Sequence, residues 1–168
     1  MNIVLTGFMA TGKTVVGKLL AEKIGFQYIG TDELIEKQTN MKISEIFAVY
    51  GEPYFRDIET EIVRKVSEFD NYVIATGGGV VLRKENMDLL EKNGIIINLT
   101  ASPDKIYERA KNSNERPLLN IPDPKSEIIR LLNMREPYYK RCNFRINTDN
   151  LSVEEVVNEC LKYIEKKL

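Results

Sequence analysis

Gly7-Phe8-Met9-Ala10-Thr11-Gly12-Lys13-Thr14 is the stretch of the sequence whose residue types and spacing speak most directly of chemistry. The spacing G-x-x-x-x-G-K-[ST] makes a phosphate-binding loop when a strand leads into it and a helix leads out. Both conditions are met: residues 2–6 are a short apolar run, and apolar residues recur at helical spacing over 15–24. The backbone N–H groups of Ala10, Thr11, Gly12, Lys13, Thr14 and Val15 can then cradle phosphate oxygens at the positive end of a helix dipole. Gly12 is expected to let the backbone come close to the ligand. Lys13 can reach the β- and γ-phosphates, and the Thr14 hydroxyl can ligate Mg²⁺. The loop therefore predicts a nucleoside triphosphate site.

Further candidates lie downstream. P-loop motors and switch GTPases usually end a central strand with an Asp near the metal. Here the run 71–75 ends instead in Thr76-Gly77-Gly78-Gly79, with no acid and no Asn-Lys-x-Asp guanine-reading run elsewhere. Three glycines at the carboxyl end of a parallel strand suit close backbone approach to a second substrate, whereas a plain turn needs only one or two. Asp32 opens a helix, where an acid is favoured for local reasons. Arg56, Arg116 and Arg135 are guanidinium forks suited to carboxylates and phosphates. Between Ala101 and Arg145 ten residues are basic and six acidic, so this third is locally positive, but composition does not assign which arginine does what. Tyr138, Tyr139 and the methionines read as packing residues, and Cys142 and Cys160 as inert thiols without metal-ligand spacing.

Positioning these residues requires strands that alternate with helices. Strands are predicted over 2–6, 25–30, 71–75, 95–99 and 144–147. Between the second and third, helices at 33–38, 41–50 and 54–69 make an all-helical insert. Helices at 83–92, from Ser102-Pro103 onward, at 125–139 and from a capping box at Ser152 complete the chain, and 112–124 reads as an exposed loop. This pattern predicts an α/β fold with a parallel sheet covered on both faces.

Composition narrows the function. At 168 residues the chain fits one domain, and a net charge of −1 without a basic stripe argues against nucleic acid. There is no apolar run of membrane-spanning length, and a strand at the N-terminus leaves no place for a signal peptide, so a cytoplasmic protein is expected. Two cysteines suit a reducing compartment. With no histidine at all, Ser-His-Asp and Cys-His triads are excluded, and proton transfer falls to a carboxylate, lysine, tyrosine or phosphate.

Taken together these motifs place the chain beside a known family. The P-loop with Met9, Thr31-Asp32 with Ile35-Glu36, Gly51-Glu52 with Phe55-Arg56 and Glu59, Ala75-Thr76-Gly77-Gly78-Gly79, Arg116-Pro117-Leu118-Leu119, and Arg135 with Pro137 and Tyr139 resemble the shikimate kinases over essentially the whole length. The resemblance implies a three-layer α/β/α P-loop fold with a five-stranded parallel sheet in the order 2-3-1-4-5. It implies a single domain over 1–168, with a substrate-binding insert near 31–69 and a lid near 111–124. The implied activity is Mg-dependent transfer of the ATP γ-phosphoryl to the 3-hydroxyl of shikimate by a monomer. On this resemblance Asp32 meets the attacking hydroxyl, and Arg56 and Arg135 clamp the shikimate carboxylate. Gly78 and Gly79 approach the ring, Arg116 reaches the ATP phosphates from the lid, and Arg109 stacks on adenine. Two positions depart from the family pattern: Gly30 replaces the first acid of Asp-x-Asp, which generally contacts the Mg²⁺ water shell, and Ala10 replaces an inner P-loop glycine. The latter is expected only to tighten the loop. A related kinase of gluconate or a nucleoside monophosphate, and a nucleotide-binding regulatory protein that has lost catalysis, are the other readings.

Overall fold

The computed structural model describes residues 1–111 and 121–167. Five strands form one sheet: β1 (Asn2–Thr6), β2 (Gln27–Gly30), β3 (Tyr72–Ala75), β4 (Gly94–Thr100) and β5 (Phe144–Asn147). All neighbours are parallel and the order is β2-β3-β1-β4-β5, as the resemblance implied. The helices are α1 (Lys13–Ile24), α2 (Thr31–Thr39), α3 (Ile43–Tyr50), α4 (Glu52–Ser67), α5 (Lys84–Lys92), α6 (Pro103–Ala110), α7 (Pro124–Tyr139) and α8 (Val153–Lys167).

The central strand β1 is buried from end to end, as a strand sandwiched between helical layers must be. Its side chains alternate between two cores. Ile3 and Leu5 join Val16 and Leu20 of α1 and Val156, Val157, Cys160 and Ile164 of α8. Val4 faces the other way, into a core with Ile35, Ile46, Ile62, Val63, Met87, Leu90, Ile106 and Ile128. The second layer is thus the thicker one, and it carries the insert α2–α4 and the helix α7.

Local signals in the sequence explain the element ends. Ser102 Oγ accepts from Lys105 N at the start of α6, and Pro103 occupies the first turn. Ser152 and Glu155 exchange reciprocal bonds of 3.0 and 3.2 Å, which is a capping box. Several boundaries move by one or two residues, and β2 begins at Gln27 and α3 at Ile43. Helix α1 begins at Lys13 rather than Val15, so Lys13 and Thr14 belong to its first turn, and α4 begins at Glu52 because Gly51 turns the chain with φ 85. The predicted loop 112–124 and the lid lie mostly outside the described residues, Arg116 with them. Tyr138 is exposed rather than packed, while Tyr139 is buried.

Candidate active site

Three residues of the phosphate loop have positive φ: Gly7, Ala10 and Gly12. Gly12, with φ 94, has only Val16 Cγ2 near the place of a Cβ, at 3.7 Å. Backbone conformation, rather than crowding by protein, is therefore what demands glycine within this chain. Ala10 has φ 60 and pays about 1–2 kcal/mol for it, so its replacement of glycine does more than tighten the loop. Thr11 Oγ1 donates to Phe8 O at 2.8 Å and closes the loop internally. Lys13 Nζ donates to the carbonyls of Gly7 and, at 3.0 Å, Phe8. Thr14 and Val15 are exposed at the mouth. Arg109 on α6 donates to Ala10 O at 3.2 Å and to Thr148 Oγ1 and O at 3.1 Å each, tying the loop to the β5–α8 connection.

A cleft of about 350 Å³ opens beside this loop, and its wall includes Lys13, Thr14, Asp32, Glu33, Gly77 and Gly78. The three glycines after β3 each make way for a different charged side chain. A Cβ at Gly77 would run into the Asp32 carboxylate, one at Gly78 would lie 3.3 Å from Arg135 Nη1, and one at Gly79 would collide with the Arg56 guanidinium. Three charged groups from α2, α4 and α7 are thus brought to one turn, which is why one or two glycines would not suffice. The turn is itself anchored: Gly77 N–H donates to Thr31 Oγ1 at 2.9 Å, and Thr76 Oγ1 donates to Leu5 O at 2.8 Å.

The electrostatics follow from burial. Asp32 is pushed above the usual carboxylate range by desolvation, with Lys13 pulling it back and Glu36 adding to the rise. Glu59, fully buried, is likewise raised by desolvation and opposed by Arg56, whose Nη1 donates to Glu59 Oε1 at 2.9 Å. Arg56 lies 5.2 Å over the Phe55 ring and Arg135 lies 5.5 Å over the Phe8 ring. Both guanidiniums keep a buried Nε without a hydrogen-bond partner among the described residues. Two partly buried cationic forks, each with an unspent Nε donor, are suited to an anionic ligand.

Four further residues contribute to the site. Gly77 leaves room for the Asp32 carboxylate. Glu59 anchors Arg56 from three residues along α4, a helical spacing that was visible in the sequence. Tyr139 donates its phenol to Gly78 O at 2.7 Å and so positions the glycine turn besides packing. Thr148 sits across from Arg109, and nothing in the sequence signals that contact. Cys160 is driven up to about 12 by burial and Cys142 is also raised, as inert thiols should be.

The comparisons agree with this geometry. The family model described as shikimate kinase matches residues 9–165. A shikimate kinase of Thermodesulfovibrio yellowstonii is 51% identical over 98% of this chain and 95% of its own length. The structure of a shikimate kinase from Acinetobacter baumannii in complex with shikimate superposes with a TM-score of 0.94 at 32% identity, covering 99% of this chain and 93% of that one. A gluconokinase from Sinorhizobium meliloti, at 19% identity, 98% and 91% coverage and a TM-score of 0.69, shares the fold alone. On the family model and on relatives of this identity and coverage, the chain belongs to the shikimate kinase family.

Proposed function

We propose that this enzyme transfers the γ-phosphoryl of ATP to the 3-hydroxyl of shikimate, giving shikimate 3-phosphate and ADP on the route to chorismate and the aromatic amino acids. The carrying observation is the convergence of Arg56 and Arg135, each with a buried unpartnered Nε, on a glycine turn that also faces Asp32, within reach of the phosphate loop. A carboxylate fork plus a hydroxyl acceptor is what a small polyhydroxy acid asks for. The bound shikimate in the Acinetobacter baumannii relative supports the same substrate.

In this reading Arg56 and Arg135 bind the shikimate carboxylate while Gly78 and Gly79 let the ring come close. The 3-hydroxyl oxygen attacks the γ-phosphorus, the bond from that phosphorus to the β–γ bridging oxygen breaks, and the hydroxyl proton passes to Asp32. Desolvation raises the proton affinity of Asp32, which favours that role. Residues 10–15 hold the phosphates by backbone N–H groups, and Lys13 and Arg116 balance the charge of the transferring group. The edge hydrogen bonds of Arg109 hold its guanidinium plane, and stacking on adenine uses the face of that plane.

The donor set also fits Mg²⁺. The Thr14 hydroxyl and the Asp32 and Glu33 carboxylates line one cleft, and among the described residues no group of three or more Asp, Glu, Cys or His could hold an ion unaided. An ion that arrives with nucleotide phosphates and takes one or two carboxylates matches that arrangement. When bound, it neutralises phosphate charge and orients the nucleotide. No helix among the described residues is long and apolar enough to cross a membrane, and we take the enzyme to work as a cytoplasmic monomer.

The test is ADP production from Mg·ATP with and without shikimate, with gluconate and a nucleoside monophosphate as control acceptors. Release that depends on shikimate supports the reading. Release that depends on either control, or on none, removes it.

A further inference from the structure

Glu33 takes no part in the phosphoryl-transfer steps above, and its carboxylate lines the nucleotide cleft as one of two acids open to an ion. It accepts a hydrogen bond of 3.1 Å from the hydroxyl of Tyr28, which lines the same cleft. Both groups converge on Gly30. A Cβ built there would lie 2.9 Å from Glu33 Oε1 and 3.0 Å from the Tyr28 oxygen. The backbone of Gly30 is extended, with φ −107 and ψ 133, a conformation open to any residue. Glycine at this position therefore leaves volume, and the volume is taken by the Glu33 carboxylate.

Tyr28 connects that carboxylate to the phosphate loop. Its ring packs against α1, where a Cβ on Gly17 would be 2.9 Å from the ring edge, and its oxygen lies beside the Thr14 side chain. Thr14, Tyr28 and Glu33 thus form a continuous polar row along the cleft wall. A P-loop site holds its ion with the loop hydroxyl and an acid from a neighbouring strand end. Strand β3 ends at Ala75, and the hydroxyl of Thr76 just after it is spent on Leu5 O. The cleft wall contains two carboxylates, Asp32 and Glu33, and Asp32 is turned toward Gly77 with Lys13 as its strongest charged neighbour.

We propose that Glu33, held by Tyr28 in the volume left open at Gly30, supplies the carboxylate that binds the water shell of the divalent ion beside Thr14. This rests on the phosphoryl-transfer reading of the same cleft. The acid that a strand end would normally contribute comes here from the first turn of α2, three residues on.

The experiment is Mn²⁺ binding to the enzyme·ADP complex, followed by electron paramagnetic resonance, together with ADP affinity measured in EDTA. Glu33→Gln should weaken Mn²⁺ binding by about 10- to 100-fold, the scale for losing an outer-shell partner, with ADP affinity in EDTA unchanged. The double variant Gly30→Asp with Glu33→Ala should recover the loss, because it returns a carboxylate to the same volume. Unchanged Mn²⁺ affinity in Glu33→Gln overturns the proposal, as does an equal loss of ADP affinity in EDTA or a double variant that recovers nothing. Wild-type enzyme without shikimate-dependent ADP release would instead strike the reaction itself, which keeps the two failures apart.

Discussion

The two ends of the cleft are built on different plans. The nucleotide end comes from one continuous stretch, residues 7–15, which offers backbone N–H groups whose direction is set by positive φ at 7, 10 and 12. The acceptor end is assembled from α2, α4, the turn after β3 and α7, and what it offers is charged side chains. Its residues are held by a buried carboxylate at Glu59, a phenol at Tyr139 and three glycines cut to fit. The loop bears its cost as local backbone strain, whereas the acceptor end bears it as desolvated charge, seen in the raised Asp32 and Glu59. A site for a phosphate chain, common to many proteins, can be encoded locally. A site for one small acid needs groups from several directions, and only a folded chain supplies them.

The sharpest way to break this contrast is Asp32→Asn. Turnover should drop by about 10²- to 10⁴-fold, the usual contribution of a positioned general base, with ATP binding retained. The same change should stabilise the fold. Because burial raises Asp32, the folded chain holds its proton more tightly than the unfolded chain does, so its contribution to stability is greatest in acid and is lost as pH rises through the folded value. The Tm of Asp32→Asn should therefore exceed wild type at neutral pH, and the gap should close in acid. Equal Tm values at neutral pH would remove the desolvation account, and unchanged turnover would remove the role of the base.

Next come the supports of the acceptor end. Glu59→Ala takes from the largely buried Arg56 its 2.9 Å partner and leaves only Glu52 at 3.9 Å, so it should cost about 3–5 kcal/mol of unfolding free energy, read by denaturant titration. Arg135→Ala should behave differently, because Arg135 makes no ion pair among the described residues. Stability should change little while shikimate binding weakens by about 2–4 kcal/mol, measured by calorimetry. If the two variants lose stability alike, the distinction between a structural and a ligand-directed charge fails here.

The smallest effect belongs to the loop. Ala10→Gly relieves a left-handed alanine worth about 1–2 kcal/mol but adds about 0.4–1 kcal/mol of unfolded-chain entropy. A net gain of about 0–1.6 kcal/mol in stability is expected, without change in shikimate affinity. A loss of stability would mean that the loop strain is absent.

Much of this was legible in residue order. The P-loop could be read because its function depends on backbone direction set within eight residues, and the strands and helices because period and caps are local. The resemblance carried Asp32, Arg56 and Arg135 to the acceptor side. It did not reveal that Gly77, Gly78 and Gly79 serve three different partners, nor that Tyr139 bonds Gly78 O, since both depend on how α7 lies against the turn.

What the amino-acid sequence alone determined is the class of chemistry: a phosphate loop, no imidazole and a glycine run in a parallel α/β chain. Those properties reside in residue type and near spacing, and they do not change with how distant elements pack. Which carboxylate faces which glycine, which cation is neutralised and which keeps donors to spare, and whether the volume at Gly30 is filled by Glu33 were decided by the tertiary structure. Desolvation and contact at 3 Å arise between elements far apart in the chain, and only packing brings them together.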